Sequence, residues 1–213
     1  MATKLGIYNA ACLELGQRTL SSLTEEIPVR YSLDAVWDDV VNDCLEGGQW
    51  NFAIRTVKLV ADTGITTNFG YDKVFSKPTD WTRTAGLSTD EYNESPLRDE
   101  EYKDENGRFY TDTTPLYLRY VSDDGSYGTD LTKWTAKFSR FVVLELAFRI
   151  CTAVTQSETL RRDLFELTRR AKHDALNKDA LNEGTRHWQM GRIVGARGGR
   201  DPGDRGSNSR LIG

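Results

Sequence analysis

The stretch from Lys137 to Thr155, KFSRFVVLELAFRICTAVT, constrains this chain more than any other. Phe138, Phe141, Val142, Val143, Leu144, Leu146, Ala147, Phe148, Ile150, Cys151, Ala153 and Val154 fall on almost every side of a helical wheel. Ser139, Arg140, Glu145 and Arg149 interrupt them as a narrow polar seam. A helix that is apolar nearly all round belongs inside a protein. This one is too short and too charged to read as a membrane span. It therefore calls for a bundle, in which amphipathic helices pack around a buried central one.

Those partners are legible on either side. Residues 3 to 16 place Leu5, Tyr8, Ala11, Cys12 and Leu15 at helical spacing, with Gly16 as a C-terminal stop. Pro28 fits the first turn of a second helix, with Glu25 and Glu26 near its positive end. Val29, Leu33, Val36, Trp37, Val40, Val41, Cys44 and Leu45 form its stripe, and Gly47-Gly48 ends it. After the central helix, Leu160, Leu164, Leu167, Ala171 and Ala175 make a one-sided stripe on a helix opened by a Thr155–Glu158 capping box and closed by Gly184. The core of this bundle is expected to include Trp37, Phe141, Leu144, Phe148 and Leu164.

Between the helices the pattern changes. Asn51 to Val60 alternates and is rich in β-branched residues, and short extended candidates follow at Lys73–Phe75, Trp81–Leu87, Arg108–Tyr110 and Leu116–Val121. Leu116, Leu118 and Tyr120 share one face. The charge run Asp99 to Glu105 reads as a solvated loop, without the glycine and spacing of a calcium site. The expected fold is mainly α: a four-helix-type bundle (1–53 and 134–184) with a small antiparallel β insert (54–133) and an extended C-terminal arm (185–213).

That arm is Gly- and Arg-rich and cannot build a core. It carries six arginines against two aspartates, about +4, so the total of −4 leaves about −8 on the rest. Trp188, Ile193 and Val194 are candidate apolar anchors and Arg192 and Arg197 candidate charge partners for a segment that orders on a binding partner. GARGGR (195–200) is similar to the RGG segments of RNA-binding proteins, as a single copy without repeated aromatics.

Chemistry is hard to find. The chain has no HExxH, GxSxG, P-loop or GxGxxG pattern. His173 falls on a charged helix face and His187 in the arm. Cys12, Cys44 and Cys151 lack CxxC spacing and read as buried, reduced thiols of a cytoplasmically made protein. Met1 to Thr19 has no apolar leader segment. The expectation is no enzyme, no metal and no cofactor.

Four segments taken together resemble the head-to-tail adaptor family of short-tailed phages, the tail tubular protein A type. They are YNAACLELG (8–16) with GGQWNFAIRTVKL (47–59), KPTDWTR (77–83), PLYLRYVSDD (115–124), and the helical return from Phe138 to Leu176 with its Thr-x-Ser break. The resemblance implies a structural protein of the virion neck, made in the host cytoplasm. It would form a twelve-membered ring between the portal protein and the tail nozzle protein, around a channel for double-stranded DNA, without contact with a membrane. Trp188, Arg192, Ile193, Val194 and Arg197 would then meet the portal or a neighbouring copy. An acidic body suits a channel through which DNA slides without sticking. A second reading is a nucleic-acid-binding accessory protein acting through the Gly/Arg-rich tail; a third is an enzyme with its site at the helix–sheet junction.

Overall fold

A computed structural model describes residues 2–67 and 69–182. The first helix, α1 (Lys4–Glu14), is capped by Thr3, whose hydroxyl accepts a hydrogen bond from the Gly6 amide. It ends at Gly16 with φ +65. Gln17 N–H donates to the Cys12 carbonyl at 2.8 Å and Gly16 N–H to Leu13, the paired bonds that a left-handed glycine makes possible. Helix α2 (Pro28–Glu46) begins on proline, as expected, but no acidic side chain caps its first turn. Glu25 instead folds back on the preceding loop, accepting hydrogen bonds from the Ser21 amide and hydroxyl.

A 3-10 turn (Asn51–Ala53) leads into β1 (Ile54–Leu59). The strands β2 (Val74–Ser76), β3 (Trp81–Ser88), β4 (Lys103–Glu105), β5 (Arg108–Tyr110) and β6 (Leu116–Ser122) follow. Helices α3 (Ala136–Thr155) and α4 (Glu158–Asn182) complete the described chain.

The expectation of a mainly α bundle with a small β insert is overturned. Among the described residues, four α-helices stand beside two three-stranded antiparallel sheets, an α/β fold. One sheet has the order β1-β6-β3 and the other β2-β5-β4. The physical reason is that the strand segment has a core of its own. Leu59, Leu87, Leu116, Leu118 and Tyr120 from the first sheet share an apolar cluster with Phe75 and Phe109 from the second. Two short sheets that bury a common apolar cluster support each other, where either alone would be marginal.

Strand β4 was hidden in the charge run. Lys103, Asp104 and Glu105 are all exposed, so no apolar alternation marks them. What makes them a strand is the turn that follows. Asn106 (φ 50) and Gly107 (φ 71) both take left-handed conformations, and Glu105 pairs with Arg108 across them. Asn-Gly is the dipeptide that a two-residue hairpin of this hand requires.

Helix α3 is the hub. Phe138, Phe141, Val142, Val143, Leu144, Leu146, Ala147, Ile150 and Cys151 are buried along it. Helices α1, α2 and α4 all pack on it. Its N-cap is Thr135, accepting from the Phe138 amide. Helix α4 starts differently from the expected Thr155 box. Gln156 turns left-handed to close α3, and Ser157 accepts the Leu160 amide. Thr155 donates back to the Cys151 carbonyl at 2.8 Å and accepts the Ser157 amide at 3.3 Å. The residues up to Asn182 form one compact unit, so the helical and strand segments belong together.

Candidate functional site

The polar seam of α3 is the first place to look for a working surface. Its charges are engaged within the chain. Arg140 donates to Glu14 of α1 at 2.7 Å, and Arg149 donates to Glu145 at 2.8 Å and to Asp43 of α2. These pairs tie the central helix to its two N-terminal neighbours. Hydrogen bonding from Glu145 and Asp43 outweighs partial burial and raises the Arg149 pKa.

The segments that carry the family resemblance converge on two joints. At the first, Trp50 is buried, donates its indole N–H to the Cys44 carbonyl at 2.9 Å and meets Phe138 edge-on at 4.8 Å. The next residue, Asn51, donates its backbone amide to Asp179 Oδ2 and its side-chain amide to the Asp179 carbonyl, each at 3.0 Å. The end of α2 is thereby locked to the far end of α4. Asn51 and Asp179 lie 128 residues apart, so no local pattern announces the pair.

The second joint is Pro78-Thr79-Asp80-Trp81-Thr82-Arg83. Asp80 accepts from Ser122 Oγ at 2.5 Å, Arg55 at 2.8 Å and the Tyr120 hydroxyl at 3.0 Å. Partial burial alone would raise its pKa; the hydrogen bonds from Ser122, Arg55 and Tyr120 outweigh that and lower it. Burial and the same carboxylate push the Tyr120 phenol well above its ordinary value. Arg83 then reaches out of the sheet to the Glu46 carbonyl at 3.0 Å, at the C-terminal end of α2, where a cation is favoured. Between the two sheets, the Lys77 ammonium sits 3.6 Å from the Trp81 ring centroid and pairs with Asp104 at 2.7 Å. Both joints are structural: the bonds of Trp50, Asn51, Asp80 and Arg83 all go to protein partners.

An open apolar site lies elsewhere. A groove of about 330 Å³ runs between α2, α3 and α4, floored by Phe141, Phe148 and Phe165. Phe165 is 52 % exposed although it contacts Phe148 at 5.8 Å between centroids. Thr168 lines the groove, and its buried hydroxyl has no hydrogen-bond partner among the described residues. Cys44 also lines it, but burial pushes that thiol far from the reactive range. Arg169 and Lys172 form the rim, and the groove continues past Phe148 and Phe165 to Arg161 and Arg162. Arg162, Arg169, Arg170 and Lys172 make no ion pair among the described residues.

The sequence-expected positions fall as follows. Phe141, Leu144 and Leu164 are buried, while Trp37 and Phe148 are partly buried against the core. Trp37 stacks on Trp134 at 6.3 Å and carries the Lys4 ammonium over its ring at 4.8 Å. The three cysteines are buried and free. His173 is exposed and contacts Asn177. Trp188, Arg192, Ile193, Val194, Arg197, His187 and the helix-closing Gly184 lie outside the described residues. Phe165 was missed in sequence because the stripe was traced through Leu167, which is 40 % exposed, and Thr168 takes the buried position instead.

Among the described residues no group of three or more His, Cys, Asp or Glu is placed to hold a metal ion, and no helix is long and apolar enough to cross a membrane. No protein-family model matches the sequence, and no curated protein matches it.

Proposed function

We propose that the protein is a structural subunit of a phage neck, a ring-forming head–tail adaptor that joins the portal protein to the tail nozzle around the DNA channel. The observation that carries this reading is the ordered set of four sequence segments resembling that family. Two of them, GGQWNF and PTDWTR, make the joints that fix α2 to α4 and the first sheet to α2. Segments with such fold-determining work are the ones a shared architecture would retain. A rigid hub helix and tightly clamped sheets suit a part that must hold its shape in a ring while DNA passes.

The Gly/Arg-rich arm, 185–213, is the proposed reach to the portal or to an adjacent copy, with Trp188, Ile193 and Val194 as anchors and Arg192 and Arg197 as charge partners. Anchors of this type each contribute about 2 kcal/mol or more to an interface. Deleting 185–213 is expected to leave the circular dichroism and thermal transition of the remainder intact while attachment to portal-bearing heads is lost. Normal attachment by the truncated chain would remove the arm from the reading.

A further inference from the structure

We propose that the groove between α2, α3 and α4 receives the outward face of α2 from a second copy of this chain. The proposal deepens the ring-forming reading above and rests on it for the head-to-tail arrangement of copies. Three observations choose the occupant.

The first is apolar shape. The groove floor is aromatic, and Phe165 stands half out of it. The exposed face of α2 offers a matching ring, Tyr31, which is 52 % exposed beside the exposed Ala35.

The second is charge. Arg162, Arg169, Arg170 and Lys172 have no ionic partner among the described residues. On α2, the exposed carboxylates of Asp38, Asp39 and Glu46 make no ion pair among them either. The four unpaired cations of α4 and the three unpaired carboxylates of α2 favour α2 against α4, although Arg30 lies over the Tyr31 ring at 4.1 Å and Glu166 stands among the α4 cations.

The third is register. Tyr31 and Asp38 lie seven residues apart, as do Phe165 and Lys172. On two helices laid side by side each spacing spans about 10 Å. With the two helices parallel, a tyrosine seated at Phe165 places Asp38 opposite Lys172, with Arg169 about one turn nearer the tyrosine. The contact uses two different surfaces of one protomer, so it is heterologous and adds copies in a ring or row instead of closing a two-fold dimer.

The test uses two full-length variants altered only at exposed positions: Phe165→Ser with Arg169→Glu in the groove, and Tyr31→Ser with Asp38→Lys on α2. In sedimentation velocity over a concentration series, the wild type is expected to self-associate weakly, and less so as salt rises. Each variant alone should weaken this association by about tenfold or more. An equimolar mixture should form one-to-one pairs that do not grow, because each variant keeps one intact face. A wild type that stays monomeric throughout, or a mixture that fails to pair, overturns the proposal.

Binding of the same proteins to portal-bearing heads separates this failure from failure of the adaptor reading. Heads that take up a full complement of either variant refute the α2–groove contact and leave the adaptor reading standing. Pairing in solution with no attachment of wild type to heads refutes the adaptor reading and leaves the contact standing. Loss of all attachment by the groove variant, with self-association unchanged, assigns the groove to a portal segment and overturns a second copy as occupant.

Discussion

The helical and strand halves of this molecule are held together by different physics. Around α3 the cohesion is apolar and aromatic, with Trp134, Phe138 and Trp50 in edge-on contact and buried side chains from every helix. The strand half has only seven buried residues in its cluster, spread over two sheets. It depends on directed polar clamps: Asp80 with Ser122, Arg55 and Tyr120, Lys77 between two aromatic rings, and an Asn-Gly turn. A core answers loss with a cavity that closes only in part; a clamp fails when one group goes, because its partners are left unpaired. The two halves should therefore break in different ways.

The largest effect is expected in the aromatic core. Trp50→Ala removes a fully buried ring together with its bond to the Cys44 carbonyl, and should cost about 4 kcal/mol in denaturant unfolding. Signals from helices and strands should be lost together, since Trp50 joins α2 to α3 and leads through Asn51 to α4 and then into β1. A loss confined to the strands would show the halves to be less coupled than the contacts indicate.

The next effect belongs to the clamp. Asp80→Ala strands Arg55, Tyr120 and Ser122, at a cost of about 3 kcal/mol. Hydrogen exchange should rise first in β1, β3 and β6 and last in α3. The same carboxylate sets an acid limb. Its folded pKa is depressed, so the unfolded chain takes up the proton first as pH falls. Its stabilisation is fully present above the ordinary aspartate range and is lost as pH falls through the depressed value. Asp34, held low by hydrogen bonds from Tyr8 and Arg30 against partial burial, adds to that limb. Asp80→Asn should flatten the decline of stability below the ordinary aspartate range; an unchanged acid limb would mean that Asp80 is not its source.

The smallest effect is at the hairpin. Gly107→Ala places a Cβ on a residue with φ +71, at a cost of about 1 kcal/mol, with open space around the added methyl. Local exchange in β4 and β5 should report it without a change in the helices.

This contrast also explains what could be read in the sequence. Apolar period revealed α1 through α4 and the buried face of β6, because their signal repeats within a few residues. Pro28 and Gly16 marked ends whose backbone geometry they supply themselves. The strand half is underestimated in sequence because β4 carries only exposed charges, and its one local sign, Asn106-Gly107, lies just beyond the charge run. The Asn51–Asp179 and Arg83–Glu46 bonds join distant residues and have no local period at all. The charges of the α3 seam meet α1 and α2, which only the packed structure reveals. The groove at Phe165 exists because α4 uses a narrow buried line through Leu164, Thr168, Ala175 and Asp179, which leaves its flanks open.

The proposal to be tested is that this chain builds a ring on a portal. Mass photometry of the purified protein, alone and mixed with purified portal, tests it most directly. The account predicts a monomer alone at the dilute concentrations of that measurement, and a portal species heavier by a closed ring of about twelve copies on mixing. A portal whose mass is unchanged by excess protein would contradict it.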